Sequence, residues 1–327
     1  MAHSLSFSLI SSFLRPFPTL TSELPANFRS FFSVNPSFSR EKITLKSAAF
    51  SSVQSCRLST SALMASGTTP PGVLTKGDSE LLVFDNEEEL SNSLAKYTAD
   101  LSKKFCLEKG AFTVVLSGGS LVKSLRKLVE TPYGDSIDWG KWHIFWVDER
   151  VVPKDHPDSN YKLVFDGFLS KVQIPAGQVY AINDSLSAAG AADDYESCLK
   201  HLVNEGVLLL SPATGFPKFD LMLLGMGPDG HIASLFPGHI LLTENERWVT
   251  FINNSPKPPP ERITFTFPVI NSSAYVALVA TGAGKADVVH QAFGSKNSSS
   301  VLLPVQMVKL DNGILTWFAD KAAASKL

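Results

Sequence analysis

Short apolar runs alternate along this chain with longer stretches in which apolar residues recur every three or four positions. The runs at residues 81–84, 112–116, 143–147, 219–224, 250–252, 263–267, 275–280 and 314–318 have the length and hydrophobicity of strands. After the first of them, Leu90, Leu94, Leu101 and Phe105 recur at helical spacing. Asn86 precedes that stretch as an N-cap, Glu87, Glu88 and Glu89 put acids in its first turn, and Gly110 supplies the stop. Further helices are expected over 121–130, 188–204 and 286–293. Strands that alternate with helices, several of them continuously apolar, predict an α/β domain: a mainly parallel, Rossmann-like sheet with helices on both faces. Ligands of such sheets bind beyond the carboxyl ends of the strands, so the chemistry should follow strand ends.

The periodic pattern occupies residues 78–320 and predicts a single domain there. Residues 1–66 differ in kind. Serine recurs throughout, and Arg15, Arg29, Arg40, Lys42, Lys46 and Arg57 outnumber Glu23 and Glu41. Their apolar residues are interleaved with Ser and Pro instead of forming one secretory run, which is the composition of an organellar transit peptide. Abundant Ser and Thr with sparse Arg favour a plastid; a plain disordered tail is the other reading. Residues 67–77 read as a linker, and Met64 offers an internal start that omits the leader. At the far end, residues 321–327 form a tail that closes on Ser325, Lys326 and Leu327, the peroxisomal address S-K-L, after the small residues Ala322, Ala323 and Ala324. Both ends imply organellar import receptors as partners.

Composition narrows the rest. With 44% hydrophobic residues the chain has ample core material, and a net charge of -2 with a pI near 6.4 gives no broad basic footprint for nucleic acid. No apolar run is long enough to span a bilayer. Cys56, Cys106 and Cys198 are too scattered for a disulfide framework or a metal site, and Cys106 and Cys198 read as reduced helix residues.

Four loops at strand ends carry candidate chemistry. Ser117, Gly118, Gly119 and Ser120 join a strand to a helix, where paired glycines admit an anion close to backbone N–H groups; an ordinary tight turn is the alternative. Asp148, Glu149 and Arg150 follow the next strand, with Asp158, Ser159, Asn160 and Tyr161 beyond, and suit the binding of hydroxyls and phosphate or a surface charge cluster. The run Gly225-Met226-Gly227-Pro228-Asp229-Gly230-His231 contains a formal G-x-G-x-x-G. It lacks dinucleotide context, because Pro228 and Asp229 interrupt the glycines and residues 243–246 are polar loop where an acid should close the next strand. A histidine and an aspartate in such a loop suit acid/base work, with a structural histidine as the alternative. Of the other histidines, His239 is the main competitor. Lastly, Lys285 in Thr281-Gly282-Ala283-Gly284-Lys285 sits at a helix start, a poor place for a cation unless an anion binds or the lysine is simply solvated.

Together these stretches resemble the 6-phosphogluconolactonase family. The matching segments are 116–120 (LSGGS), 146–150 (WVDER) with Val152 and Pro153, 158–161 (DSNY), 219–238 (FDLMLLGMGPDGHIASLFPG), 260–264 (PERIT) and 281–285 (TGAGK). The resemblance implies a sugar-phosphate lactonase that needs no metal and no cofactor and acts on a small molecule, 6-phospho-D-glucono-1,5-lactone, opening it to 6-phosphogluconate. His231 would take a proton from water attacking C1 and return one to the ring oxygen. Asp229 or Asp148 would orient the imidazole or bind hydroxyls, and N–H groups of 227–230 would face the oxyanion. Phosphate would lie against Ser117, Gly118, Gly119 and Ser120, with Arg150 and Lys285 as cationic partners and Arg262 as a further candidate. The rival is a glucosamine-6-phosphate deaminase or isomerase, which shares the fold but typically follows Asp-Gly-His-Ile-Ala with Phe-Asn-Glu-Pro, where this chain has Ser234-Leu235-Phe236-Pro237. A non-catalytic sugar-phosphate-binding regulator would keep the cradle but lose Asp229 and His231.

Overall fold

Helix ends and buried strands form where residue chemistry dictates them. The structure, a computed structural model, describes residues 71–294 and 301–327. The expectations for the leader, Cys56 and Met64 lie outside the described residues. The described residues begin with strands β1 (Gly72–Lys76) and β2 (Ser79–Phe84), then helix α1 (Glu87–Lys109). Asn86 Oδ1 accepts from the N–H of Glu89 at 3.0 Å, and Gly110 closes α1 in the left-handed conformation at φ 80°, as its lack of a Cβ permits. Next come β3 (Phe112–Leu116), a single α-turn α2 (Leu121–Ser124) running into a 3-10 segment (Leu125–Val129), α3 (Tyr133–Ser136), β4 (Trp142–Trp146), β5 (Asp148–Arg150), α4 (Asn160–Gly167) and α5 (Ala188–Asn204). A small hairpin of β6 (Leu209–Leu210) and β7 (Pro217–Lys218) precedes β8 (Leu221–Gly225), β9 (Val249–Ile252), β10 (Arg262–Phe265), α6 (Phe267–Asn271), β11 (Tyr275–Ala280), α7 (Ala286–Phe293) and β12 (Ile314–Asp320).

Seven strands form the main sheet in the order β1-β2-β12-β11-β8-β3-β4, parallel throughout except for the β1–β2 pair. Its central strands are buried on both faces: Val115, Met222, Leu224, Val276 and Leu278 belong to one core, Val114, Leu116, Leu221, Leu223 and Ala277 to the other. That alternation explains why the runs read as continuously apolar. From β3 the chain steps outward to β4, and from β8 it works back through β11 to β12, so the order reverses between β3 and β8. This is the switch point at which α/β sheets bind ligands.

Several expectations need correction. Residues 72–76 of the expected linker form edge strand β1, whose exposed residues carry no apolar alternation to betray it. The helix expected over 121–130 tightens into 3-10 geometry after Ser124. Asp148, Glu149 and Arg150 are a strand, β5, in a second, antiparallel sheet of order β5-β10-β9 that pairs Arg150 with Arg262. The strand expected over 263–267 ends at Phe265, because Pro268 sits in the first turn of α6. The C-terminal tail folds back: Ala323 is buried and donates its N–H to Asp320 Oδ1 at 2.7 Å, while Ser325, Lys326 and Leu327 stay exposed.

Candidate active site

The loops that follow β3, β8 and β11 leave three adjacent strands, and β5 continues from β4 at the end of the row, so the four candidate loops emerge side by side at one edge of the sheet. The loop after β8 is the most constrained. Gly227 donates its N–H to the carbonyl of His231 at 2.8 Å, Gly230 donates to Gly227 at 3.0 Å, and Gly230 has φ 79°. A Cβ on Gly227 would fall on the His231 ring and on Asp229 Oδ1, so only glycine lets those side chains meet. They do meet: His231 Nδ1 lies 2.6 Å from Asp229 Oδ1.

Burial disfavours charge on both groups, but hydrogen bonds from His231 and Lys257 outweigh it at Asp229 and hold that carboxyl down at about 2. The carboxylate can therefore only accept, and Nδ1 carries the shared proton. Nε2 is left unbonded among the described residues and becomes the basic nitrogen. Burial also pushes the imidazole pKa below its ordinary value, with Asp229 opposing, so the ring is neutral near pH 7. The ring lies tilted against Phe236, centroids 4.8 Å apart.

Asp148 is buried on β5, accepts from Ser234 Oγ at 2.8 Å, and favours the charged form of His231 electrostatically. It does not touch the imidazole, so the orienting aspartate in this geometry is Asp229. Lys285 reaches back across the sheet edge and donates from Nζ to the carbonyl of Met226 at 2.6 Å; burial pushes its ammonium pKa down, aided by nearby Lys257. At the loop after β3, the Ser117 hydroxyl is buried with no partner among the described residues. Gly118 lies so close to Asn160 that a Cβ would strike its carboxamide, and Gly119 has φ 73°. Ser120 makes no capping bond. With α2 only one turn long, the macrodipole would contribute little to an anion at this loop, which would have to rely on close backbone approach.

Arg150 donates from Nη1 to the carbonyl of Asp158 at 2.8 Å and keeps a buried Nε with no partner among the described residues. Glu149 is a structural acid: its carboxylate accepts the N–H groups of Arg150, Asn160 and Tyr161 at 2.7, 2.8 and 2.7 Å, fixing the start of α4. Burial pushes its carboxyl up to about 7 against those amides. Arg262 departs from expectation. It is 2% exposed and donates to the carbonyls of Lys257, Pro258 and Pro259 at 2.7, 2.8 and 2.9 Å, so its guanidinium is engaged inside the protein. His239 is occupied too, accepting the N–H of Leu241 on Nδ1 at 3.2 Å.

Sequence reasoning missed Lys257, whose Nζ lies 3.0 Å from Asp229 Oδ1 and 3.2 Å from His231 Nδ1. The only signal was a cation inside the run Pro256-Lys257-Pro258-Pro259-Pro260, which reads as loop. It also missed Ser234 and Asn160 as the groups that hold Asp148, through its carboxylate and its carbonyl respectively.

Comparison with known proteins adds a second line. The family model described as glucosamine-6-phosphate isomerases/6-phosphogluconolactonase matches residues 85–317. A protein of Oryza sativa subsp. japonica named probable 6-phosphogluconolactonase 4, chloroplastic, is 72% identical over 248 residues, covering 76% of each chain. An Arabidopsis thaliana protein named 6-phosphogluconolactonase 3, chloroplastic, is 67% identical over 245 residues, covering 75% of this chain and 74% of its own. Among solved structures, 6-phosphogluconolactonase from Trypanosoma brucei superposes with a TM-score of 0.65 at 26% identity, covering 76% of this chain and 98% of that one. The enzyme of the same name from Thermotoga maritima gives 0.61 at 28% identity, covering 75% and 100%.

Proposed function

The chain belongs to the glucosamine-6-phosphate isomerase/6-phosphogluconolactonase family, and from that premise we propose that it hydrolyses 6-phospho-D-glucono-1,5-lactone to 6-phosphogluconate with His231 as the base. The observation that carries the base assignment is the 2.6 Å contact of Asp229 with Nδ1, which leaves Nε2 of a neutral imidazole as the acceptor. A δ-lactone carbonyl is already an activated ester, so positioning and base catalysis suffice. In this reading Nε2 takes a proton from water as its oxygen bonds to C1, and the same proton passes to the ring oxygen as the C1–O bond breaks. Backbone N–H groups of the 227–230 loop face the developing oxyanion. The phosphate is held by Lys285, Arg150 and the loop Ser117, Gly118, Gly119 and Ser120, where the unpartnered Ser117 hydroxyl and Arg150 Nε are donors awaiting an acceptor. Phe236, which stands where the Phe-Asn-Glu-Pro stretch of the deaminases and isomerases has its acid, packs against the His231 ring instead, and this favours the lactonase over that rival.

The plastid is the proposed compartment, supported by the chloroplastic names of the rice and Arabidopsis relatives together with the leader composition. The exposed Ser325, Lys326 and Leu327 support a peroxisomal route for a form lacking the leader. The test of function is to offer the purified protein the phosphorylated lactone and glucosamine-6-phosphate side by side. Turnover of the amino sugar, with the lactone opening only at its spontaneous rate, would overturn the proposal.

A further inference from the structure

Lys257 lies outside every stretch that the sequence singled out, yet among the described residues its ammonium is the nearest cation to the Asp229–His231 pair. Asp229 Oδ1 accepts from two donors at once, Nδ1 of His231 at 2.6 Å and Nζ of Lys257 at 3.0 Å. The lysine is held in place from behind. Arg262, buried on β10, spans the carbonyls of residues 257, 258 and 259 with Nη2 and Nε, and its Nη1 lies 3.4 Å from Ser234 Oγ, which in turn donates to Asp148. Its guanidinium also stacks 5.7 Å over the Phe236 ring, the same ring that packs against His231. Three successive carbonyls on one fixed cation leave the 257–259 loop little freedom.

We propose that Lys257 is a positioning residue for the base, itself held by Arg262: its ammonium fixes the Asp229 carboxylate on Nδ1 and makes a second positive charge on the imidazole unfavourable. This rests on His231 being the base. The charged groups that face the imidazole are Asp229 from its own loop, Lys257 from the loop between β9 and β10, and Asp148 from β5; Lys285, ahead of α7, faces Asp229 and Lys257. While His231 holds the proton taken from water, a cation 3.2 Å from Nδ1 raises the energy of the imidazolium and favours passing that proton to the ring oxygen. A lysine used as a plain phosphate ligand would have to give up Asp229.

Lys257 is half exposed, so its variants should fold. The experiment follows the Cε1–H resonance of His231 against pH in the full chain, assigned by its loss in His231→Asn, alongside the pH profile of kcat/KM on the phosphorylated lactone. Lys257→Met should raise the His231 midpoint and the acid limb together by about one pH unit, with KM little changed, and Lys257→Arg should restore both. Arg262→Lys should move the midpoint in the same direction by a smaller amount. A midpoint that stays put in Lys257→Met while KM rises and His231→Asn is inactive would overturn the proposal and make Lys257 a phosphate ligand. A midpoint that shifts while the acid limb does not would instead overturn His231 as base and leave the coupling to Lys257 standing.

Discussion

The two ends of the central strands carry similar residues put to opposite uses. At the amino end, Asp220 accepts the N–H and the hydroxyl of Thr113 at 2.8 and 2.9 Å, pairs with Lys109 Nζ at 2.9 Å, and donates its own N–H to the Thr113 hydroxyl at 3.0 Å. That set is closed on itself and ties β3 to the start of β8. At the carboxyl end, Asp229 binds a histidine and a lysine through one oxygen and leaves Nε2 of His231 unbonded among the described residues. A buried aspartate whose partners are all internal stabilises the fold and has nothing to offer a substrate. One that holds the proton of a histidine on Nδ1 and leaves Nε2 open gives up some of that stability for reactivity.

Removing the proposed base should therefore separate the two ends most sharply. His231→Ala is expected to lower kcat/KM about 10²- to 10⁴-fold with little change in stability, read against spontaneous lactone opening at the same pH. Near-full corrected activity would place the chemistry elsewhere. Gly227→Ala comes next, because its Cβ would displace the His231 ring and Asp229 without removing either. A displacement of this size should cost about 10²-fold in kcat, and a crystal structure of the variant should show the Asp229–His231 contact broken.

How much of this was legible depended on how local the cause was. The strands 112–116 and 275–280 were read to the residue because every position in them is buried. The Asp229–His231 pair was legible because one tight, glycine-dependent loop contains both. Strand β1 was not, since exposed residues at a sheet edge carry no burial signal, and β5 was not, since a three-residue polar strand exists only through its partner β10. Lys257 and Arg262 depend on contacts between loops, where proline and arginine spacing says nothing of which carbonyl meets which guanidinium. Arg262 was singled out, but for the substrate and not for the loop it holds.

The proposed phosphate side of the carboxyl end should respond less than the proposed base. Lys285→Ala is expected to weaken capture of the phosphorylated lactone by roughly 1.5–3 kcal/mol, about 10- to 150-fold in kcat/KM, while sparing the poor activity on unphosphorylated gluconolactone. An equal fall on both lactones would make Lys285 a strut for Met226 and not an anion site. Asp220→Ala should do the reverse: about 2 kcal/mol of stability lost by urea titration, with turnover per folded molecule unchanged. A loss of turnover there would mean that the amino end is coupled to the site.

The smallest expected effect is the response of the two aspartates to acid, and it differs in sign. The folded Asp229 carboxyl sits at about 2, below its ordinary 3.8, so its contribution to stability is present above 3.8 and is lost as pH falls from there through about 2. Its side chain is 38% exposed, so solvent screening limits that contribution to about 1 kcal/mol. Burial raises the Asp220 carboxyl above 3.8 despite Lys109, so its contribution is fully present below 3.8 and is lost as pH rises through the folded value. Urea unfolding of the full chain from pH 2 to 7, with Asp229→Asn and Asp220→Asn alongside, gives each contribution as wild type minus variant. The Asp229 difference should grow with pH between about 2 and 3.8 and then level off. The Asp220 difference should fall with pH above 3.8. If both sloped the same way, the two ends would share one electrostatic design, and the reactivity of the carboxyl end would have to come from access alone.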